Sequence, residues 1–134
     1  MKFTQQPTSG INLIRRYGVD FITLGEEDIR GSCLVTAATL TRDWPPHTVG
    51  ELAIEHLAPV FELAPEIVVL STGARQVFPR AALRAEFAMR KIGLEVMEVG
   101  AACRTFNVLV GEERRVLAAV LLPHSVAAPG KGSG

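Results

Sequence analysis

The sequence predicts a mixed α/β domain, and three stretches carry that prediction. Glu66-Ile67-Val68-Val69-Leu70 is a charge-free β-branched run inside its first residue, closed by the small residues Ser71-Thr72-Gly73. A strand covered on both faces by helices reads as such a continuous apolar run. Downstream, the 3.6-residue period over Arg80 to Ile92 is followed by the alternation Leu94-Glu95-Val96-Met97-Glu98-Val99, the pattern of a helix crossing over to a parallel strand. Upstream, short β-rich runs separated by glycine turns predict antiparallel pairing.

Taken in order, residues 1–9 are polar and predict a loose lead-in. Ile11-Asn12-Leu13-Ile14 and Phe21-Ile22-Thr23-Leu24 are strand candidates on either side of Tyr17-Gly18, with Gly18 suited to the hairpin turn. Gly25-Glu26-Glu27-Asp28 is a second turn, and Ser32-Cys33-Leu34-Val35-Thr36 a third strand, giving an antiparallel meander. Trp44-Pro45-Pro46 interrupts regular structure, because proline has no N–H to donate. Thr48-Val49-Gly50-Glu51 matches a capping box. The period through Leu52, His56, Leu57, Val60 and Phe61 then predicts a short or kinked helix, interrupted by Pro59.

After the central strand, Arg75 to Pro79 is a loop, with Pro79 at the first-turn position. The helix over Arg80–Ile92 presents Ala82, Ala85, Met89 and Ile92 on one face beside Leu83 and Phe87. Glu86 and Arg90 form an i,i+4 ion pair outside, and Gly93 ends the helix. Gly100 to Val110 is a second strand-to-helix passage. Arg115 to Leu122 is the last buried strand. The expected organisation is one domain over 10–123, with a small-residue tail over 124–134 expected to be disordered.

Composition narrows the function classes. Hydrophobic residues make up 48% and charged residues 21%, with 14 basic and 14 acidic side chains. Such a chain is globular, and it has no basic excess for nucleic acid. The start has no apolar signal region. The longest apolar run, Val116 to Leu122, is far short of the ~20 residues of a membrane-spanning helix. Two cysteines do not make a disulfide scaffold. A soluble, cytoplasmic protein is expected, with peripheral membrane association left open, as is the choice between monomer and homodimer.

Candidate chemistry centres on Cys103-Arg104-Thr105-Phe106-Asn107. A helix starting near Ala101 or Ala102 would direct free N–H groups toward Cys103 and lower its pKa, with Arg104 helping; the alternative is a small buried cysteine. Arg104 could clamp a carboxylate or phosphate, or pair with Glu66 or Glu98. Asn107 could cap a turn or meet a ligand. Thr72-Gly73 could form an anion nest or only a tight turn. G-x-x-x-x-G-K-[ST], G-x-G-x-x-G and G-x-S-x-G spacings are all absent. His47, His56 and His124 stand apart, without metal-ligand spacing. No catalytic constellation, cofactor or metal site is expected.

Ala101-Ala102-Cys103-Arg104-Thr105-Phe106-Asn107-Val108-Leu109, followed by Glu113-Arg114-Arg115-Val116, resembles the Mth938-like family. This family is also known as DUF498 and includes the mitochondrial complex I assembly factor 3 proteins. Ser32-Cys33-Leu34-Val35, Trp44 and Val68-Val69-Leu70-Ser71-Thr72-Gly73 extend the resemblance over roughly Ile11 to Leu122; Ser71 replaces the first glycine of the family's G-T-G. The resemblance implies a three-layer fold on a mixed sheet and no established enzymatic activity. It implies protein partners among respiratory-complex subunits or assembly proteins. It also implies a ligand-binding pocket at Thr72, Gly73, Arg75, Cys103, Arg104 and Asn107.

Overall fold

In strand β9 (Val116–Val120), all five residues are buried and alternate residues face different layers. Val116, Ala118 and Val120 belong to one apolar cluster, Leu117 and Ala119 to the other. A β9 residue therefore has no solvent side to specify, which is why the run carries no polar alternation. The computed structural model describes residues 5–7 and 10–124.

Around β9 the strands are β1 (Gln5–Pro7), β2 (Ile14–Gly18), β3 (Phe21–Leu24), β4 (Glu27–Ile29), β5 (Cys33–Thr36), β6 (Thr39–Thr41), β7 (Ile67–Ser71) and β8 (Gly93–Met97). The helices are α1 (Ala58–Glu62), α2 (Ala81–Met89) and α3 (Val99–Gly111). Six strands form one sheet in the order β1-β6-β5-β9-β7-β8, antiparallel up to β9 and parallel from β9 to β8. Strands β2, β3 and β4 form a separate antiparallel sheet. That small sheet and α3 cover one face of the large sheet through Ile14, Ile22, Val69, Cys103 and Phe106. Helices α1 and α2 cover the other through Trp44, Val60, Leu83 and Phe87. This is the expected three-layer α/β domain on a mixed sheet.

Several local expectations need correction. The opening strands do not make one meander: β5 and β6 leave the hairpin sheet and join the large one. The first hairpin strand starts at Ile14, because Asn12 directs its amide N–H and side chain to the carbonyls of Ala37, Thr36 and Thr39. Gln5–Pro7, within the expected lead-in, pairs with β6. Thr48 caps only a 3-10 turn, and Glu51 accepts from the His47 N–H. Lys91, at φ 59°, ends α2, leaving Gly93 free to open β8. Met89 is 68% exposed, and Ala82 and Ala85 are exposed with it, because the stripe of α2 that packs on the sheet is Leu83 and Phe87. The tail expected over 124–134 lies outside the described residues from 125 onward.

Candidate functional site

Three chain segments meet where β7 ends and α3 begins. The Thr72 N–H donates to the Met97 carbonyl at 2.9 Å, and the Val99 N–H to the Gly73 carbonyl at 2.8 Å. Gly73 sits at φ +95°, a conformation that side chains disfavour. The Thr72 hydroxyl donates to the Arg75 carbonyl and accepts from the Val77 N–H. It therefore closes the turn. The expected site residues Thr72, Gly73 and Arg75 are thus joined to one another, with the Arg75 side chain in an exposed loop.

A helix N-terminus carries unpaired N–H groups and a partial positive charge, which together attract anions. At α3 the chain supplies that anion itself. Glu98 is the N-cap, its carboxylate accepting from Gly100 N–H at 2.8 Å and Ala101 N–H at 2.7 Å. These two backbone bonds hold the Glu98 carboxyl below the ordinary glutamate range, with the Arg104 charge assisting.

Arg104 lies one turn along α3 and is exposed. Its Nη1 donates to Tyr17 Oη at 2.7 Å, and Nη2 stands 4.0 Å from Glu98. Gly100 makes room for this contact: a Cβ there would lie 3.2 Å from the guanidinium and from the Tyr17 ring. Of the two expected partners of Arg104, Glu66 bonds Arg114 instead, at 2.9 Å.

Asn107, one turn further, joins α3 to β2. Its Oδ1 accepts from the Ile14 N–H at 2.8 Å and its Nδ2 donates to the Ile14 carbonyl at 3.0 Å. Both backbone groups of Ile14 are thereby satisfied.

Of the two readings of Cys103, the structure shows the small buried cysteine and not the thiolate. The residue sits in the second turn of α3, 1% exposed among core side chains. Burial pushes its thiol up to about 12, the Glu98 charge adds to the shift, and Arg104 opposes it only weakly. Burial does the same for Cys33, also to about 12. Neither is a nucleophile at neutral pH.

Sequence reasoning missed Tyr17 and Gly100. Glutamate is not among the favoured N-cap residues, and Tyr17 comes from a different sheet, so no local pattern announces either contact. His47 and His124 stack with ring centroids 3.8 Å apart. Among the described residues no group of three or more acidic, histidine or cysteine side chains could hold a metal ion. Nor is any helix among them long and apolar enough to cross a membrane.

The family described as protein of unknown function, DUF498/DUF598, matches residues 14–121. The chain is 31% identical over 121 residues to the zebrafish NADH dehydrogenase (ubiquinone) 1 alpha subcomplex assembly factor 3, covering 89% of this chain and 68% of that protein. A Xanthomonas campestris protein solved by NMR superposes with a TM-score of 0.77 at 33% identity, over 87% of this chain and 91% of that one. A Bordetella pertussis Mth938-like domain shares the fold, with a TM-score of 0.70 at 22% identity over 90% and 92% of the two chains.

Proposed function

The chain belongs to the DUF498/DUF598 family, and we propose that it is a non-enzymatic assembly or interaction factor for a membrane-bound respiratory complex, working from the cytoplasmic side. The similarity to complex I assembly factor 3 along most of the chain carries this reading. The chemistry at the end of β7 supports it. Glu98 fills the helix N-terminus, Asn107 is bonded to Ile14, and both thiols are buried and protonated. A nucleophile–base pair, the usual signature of covalent catalysis, does not form among these groups.

The test is crosslinking of a tagged copy in its own cells, followed by identification of what copurifies. Recovery of NADH dehydrogenase subunits or assembly proteins above an untagged control is the expected result. Recovery of none overturns the reading.

A second reading has one observation in its favour: the Arg104 guanidinium is exposed, and its contact with Glu98 is a loose 4.0 Å. An anionic small molecule could compete for it beside Thr72 and Gly73. Copurification of an anionic metabolite, lost in Arg104→Ala, would establish this reading. Unchanged protein partners in Arg104→Ala would remove Arg104 from the assembly surface.

A further inference from the structure

The large sheet has an open flank at β8. Gly93 donates its N–H to the Glu66 carbonyl and Met97 accepts from the Thr72 N–H, so the odd-numbered residues of β8 bond to β7. Leu94 and Val96 therefore turn their backbone groups outward. One of these, the Val96 carbonyl, is taken by Gln76 Nε2 at 2.9 Å. Among the described residues the Leu94 N–H and carbonyl and the Val96 N–H have no partner strand, because β8 is the edge strand of the sheet. Beside them a groove of about 490 Å³ runs between β8 and α2, lined by Phe78, Arg84, Ala88, Ile92, Leu94 and Glu95. Phe78 is 62% exposed at its end. Glu95 sits exposed in the middle of the strand and forms no ion pair among the described residues.

From these features we infer that β8 takes up an extended segment of a partner protein by strand addition, and that this segment reads apolar–basic–apolar. The alternation of a strand fixes the pattern. A residue opposite Glu95 shares its face, away from α2, where a lysine or arginine would pair with the carboxylate. The residues flanking it turn to the α2 side, against Phe78, Ala88 and Leu94. Backbone bonds to Leu94 and Val96 supply attachment and the side chains supply selectivity, as in other strand-addition complexes.

A second copy fits poorly. The twofold antiparallel register that uses both Leu94 and Val96 sets Glu95 opposite Glu95, and directly opposed like charges destabilise a sheet. Glu95 and Gln76 could otherwise serve only to protect the edge from aggregation, and the experiment separates that role from docking.

This inference rests on the interaction reading above and adds to it the surface and the partner chemistry. Two synthetic peptides serve as probes, one with valine-lysine-valine at its centre and one with valine-glutamate-valine. Fluorescence anisotropy is expected to show the lysine peptide binding the full chain about tenfold more tightly than the glutamate peptide, with the preference reversed in Glu95→Arg. Amide exchange at Leu94 and Val96 should slow on binding, while that of Gly93, already bonded to β7, should not. Leu94→Pro, which removes an outward N–H together with the leucine side chain, should weaken both peptides, whereas Leu94→Ala, which keeps the N–H, should weaken them less.

Equal affinity for the two peptides, binding without slowed exchange at Leu94 and Val96, or no binding at all would overturn the inference. So would a dimer in solution that Glu95→Arg alters. The crosslinking result is independent of these outcomes. Complex subunits recovered equally by wild type and Glu95→Arg would leave the function reading standing and remove the β8 edge. Peptide binding without recovered subunits would do the reverse.

Discussion

The two helices that cover the large sheet from opposite sides treat their polar neighbours differently. Along α3, the prominent polar groups are bonded within the chain: Glu98 to the helix N-terminus, Arg104 to Tyr17, Asn107 to Ile14. Along α2 and its neighbour β8, backbone groups, the Glu95 carboxylate with no ion pair among the described residues, and an exposed phenylalanine are left outward. The contrast teaches that a distinctive motif can mark architecture. The Ala101–Asn107 run holds the small sheet to the large one, and the side facing outward lies elsewhere.

The largest expected effect breaks the α3 side. Phe106 is fully buried between helix and sheet, and Phe106→Ala should lower unfolding free energy by about 3–5 kcal/mol in a urea titration. Asn107→Ala leaves both Ile14 backbone groups without their side-chain partner. It should cost about 2–3 kcal/mol by the same measurement, and amide exchange at Ile14 should accelerate.

Thiol chemistry sharpens the picture next. Cys33 and Cys103, both pushed up to about 12, should resist a thiol reagent in the native chain at neutral pH and react fully in urea. Because the folded thiols titrate above the ordinary value of ~8.5, their contribution to stability is complete below that value and lost as pH rises toward 12. Unfolding should therefore become easier in alkali.

Glu98 works in the opposite direction. Its carboxyl titrates below the ordinary glutamate value of about 4.3 in the folded chain. Its contribution is present above that value and lost as pH falls through the lower folded one. Glu98→Gln should make the acid limb of a stability-against-pH curve shallower. The smallest effect belongs to the α2 side: Phe78→Ser should change stability by no more than about 0.5 kcal/mol, read in the same urea titration. A large loss there would end the contrast.

What the sequence disclosed follows from the range of each interaction. β7, β8 and β9 were legible because burial writes itself into consecutive residues, either as an unbroken apolar run or as alternation. The Glu86–Arg90 pair, at 2.6 Å, was legible because four residues is one helical turn. The second sheet was not, because Glu27-Asp28 reads as part of a turn and not as the opening of β4, and only tertiary packing separates β5 from the hairpin strands. The three residues of β6, Thr39–Thr41, are too few to show a period. The face Ala82, Ala85 and Met89 misleads because alanines keep the helical period on an outward side, while the large side chains Leu83 and Phe87 turn to the core. At the site, the expectation of an arginine in the first helical turn fails, because α3 starts at Val99 and Arg104 stands in its second turn; Glu98, one of its two candidate partners, is the one it approaches. Tyr17 was invisible, 87 residues away in sequence. Asn107 was read as a turn cap or ligand contact because a clasp to Ile14, 93 residues earlier, leaves no trace in its neighbours.

The position of β9 also governs how the chain can be built. The last strand among the described residues lies in the middle of the sheet, between β5, which precedes it by some eighty residues, and β7. A chain emerging from the ribosome can therefore form the β5–β6 ribbon and the β7–β8 pair, but it cannot join them until residues 116–120 appear. Up to that moment β5 and β7 present facing edges of unpaired backbone N–H and C=O groups with nothing between them. Such half-sheets are the form of a protein that aggregates or recruits a chaperone, and a stop anywhere before Val116 would leave both open for good.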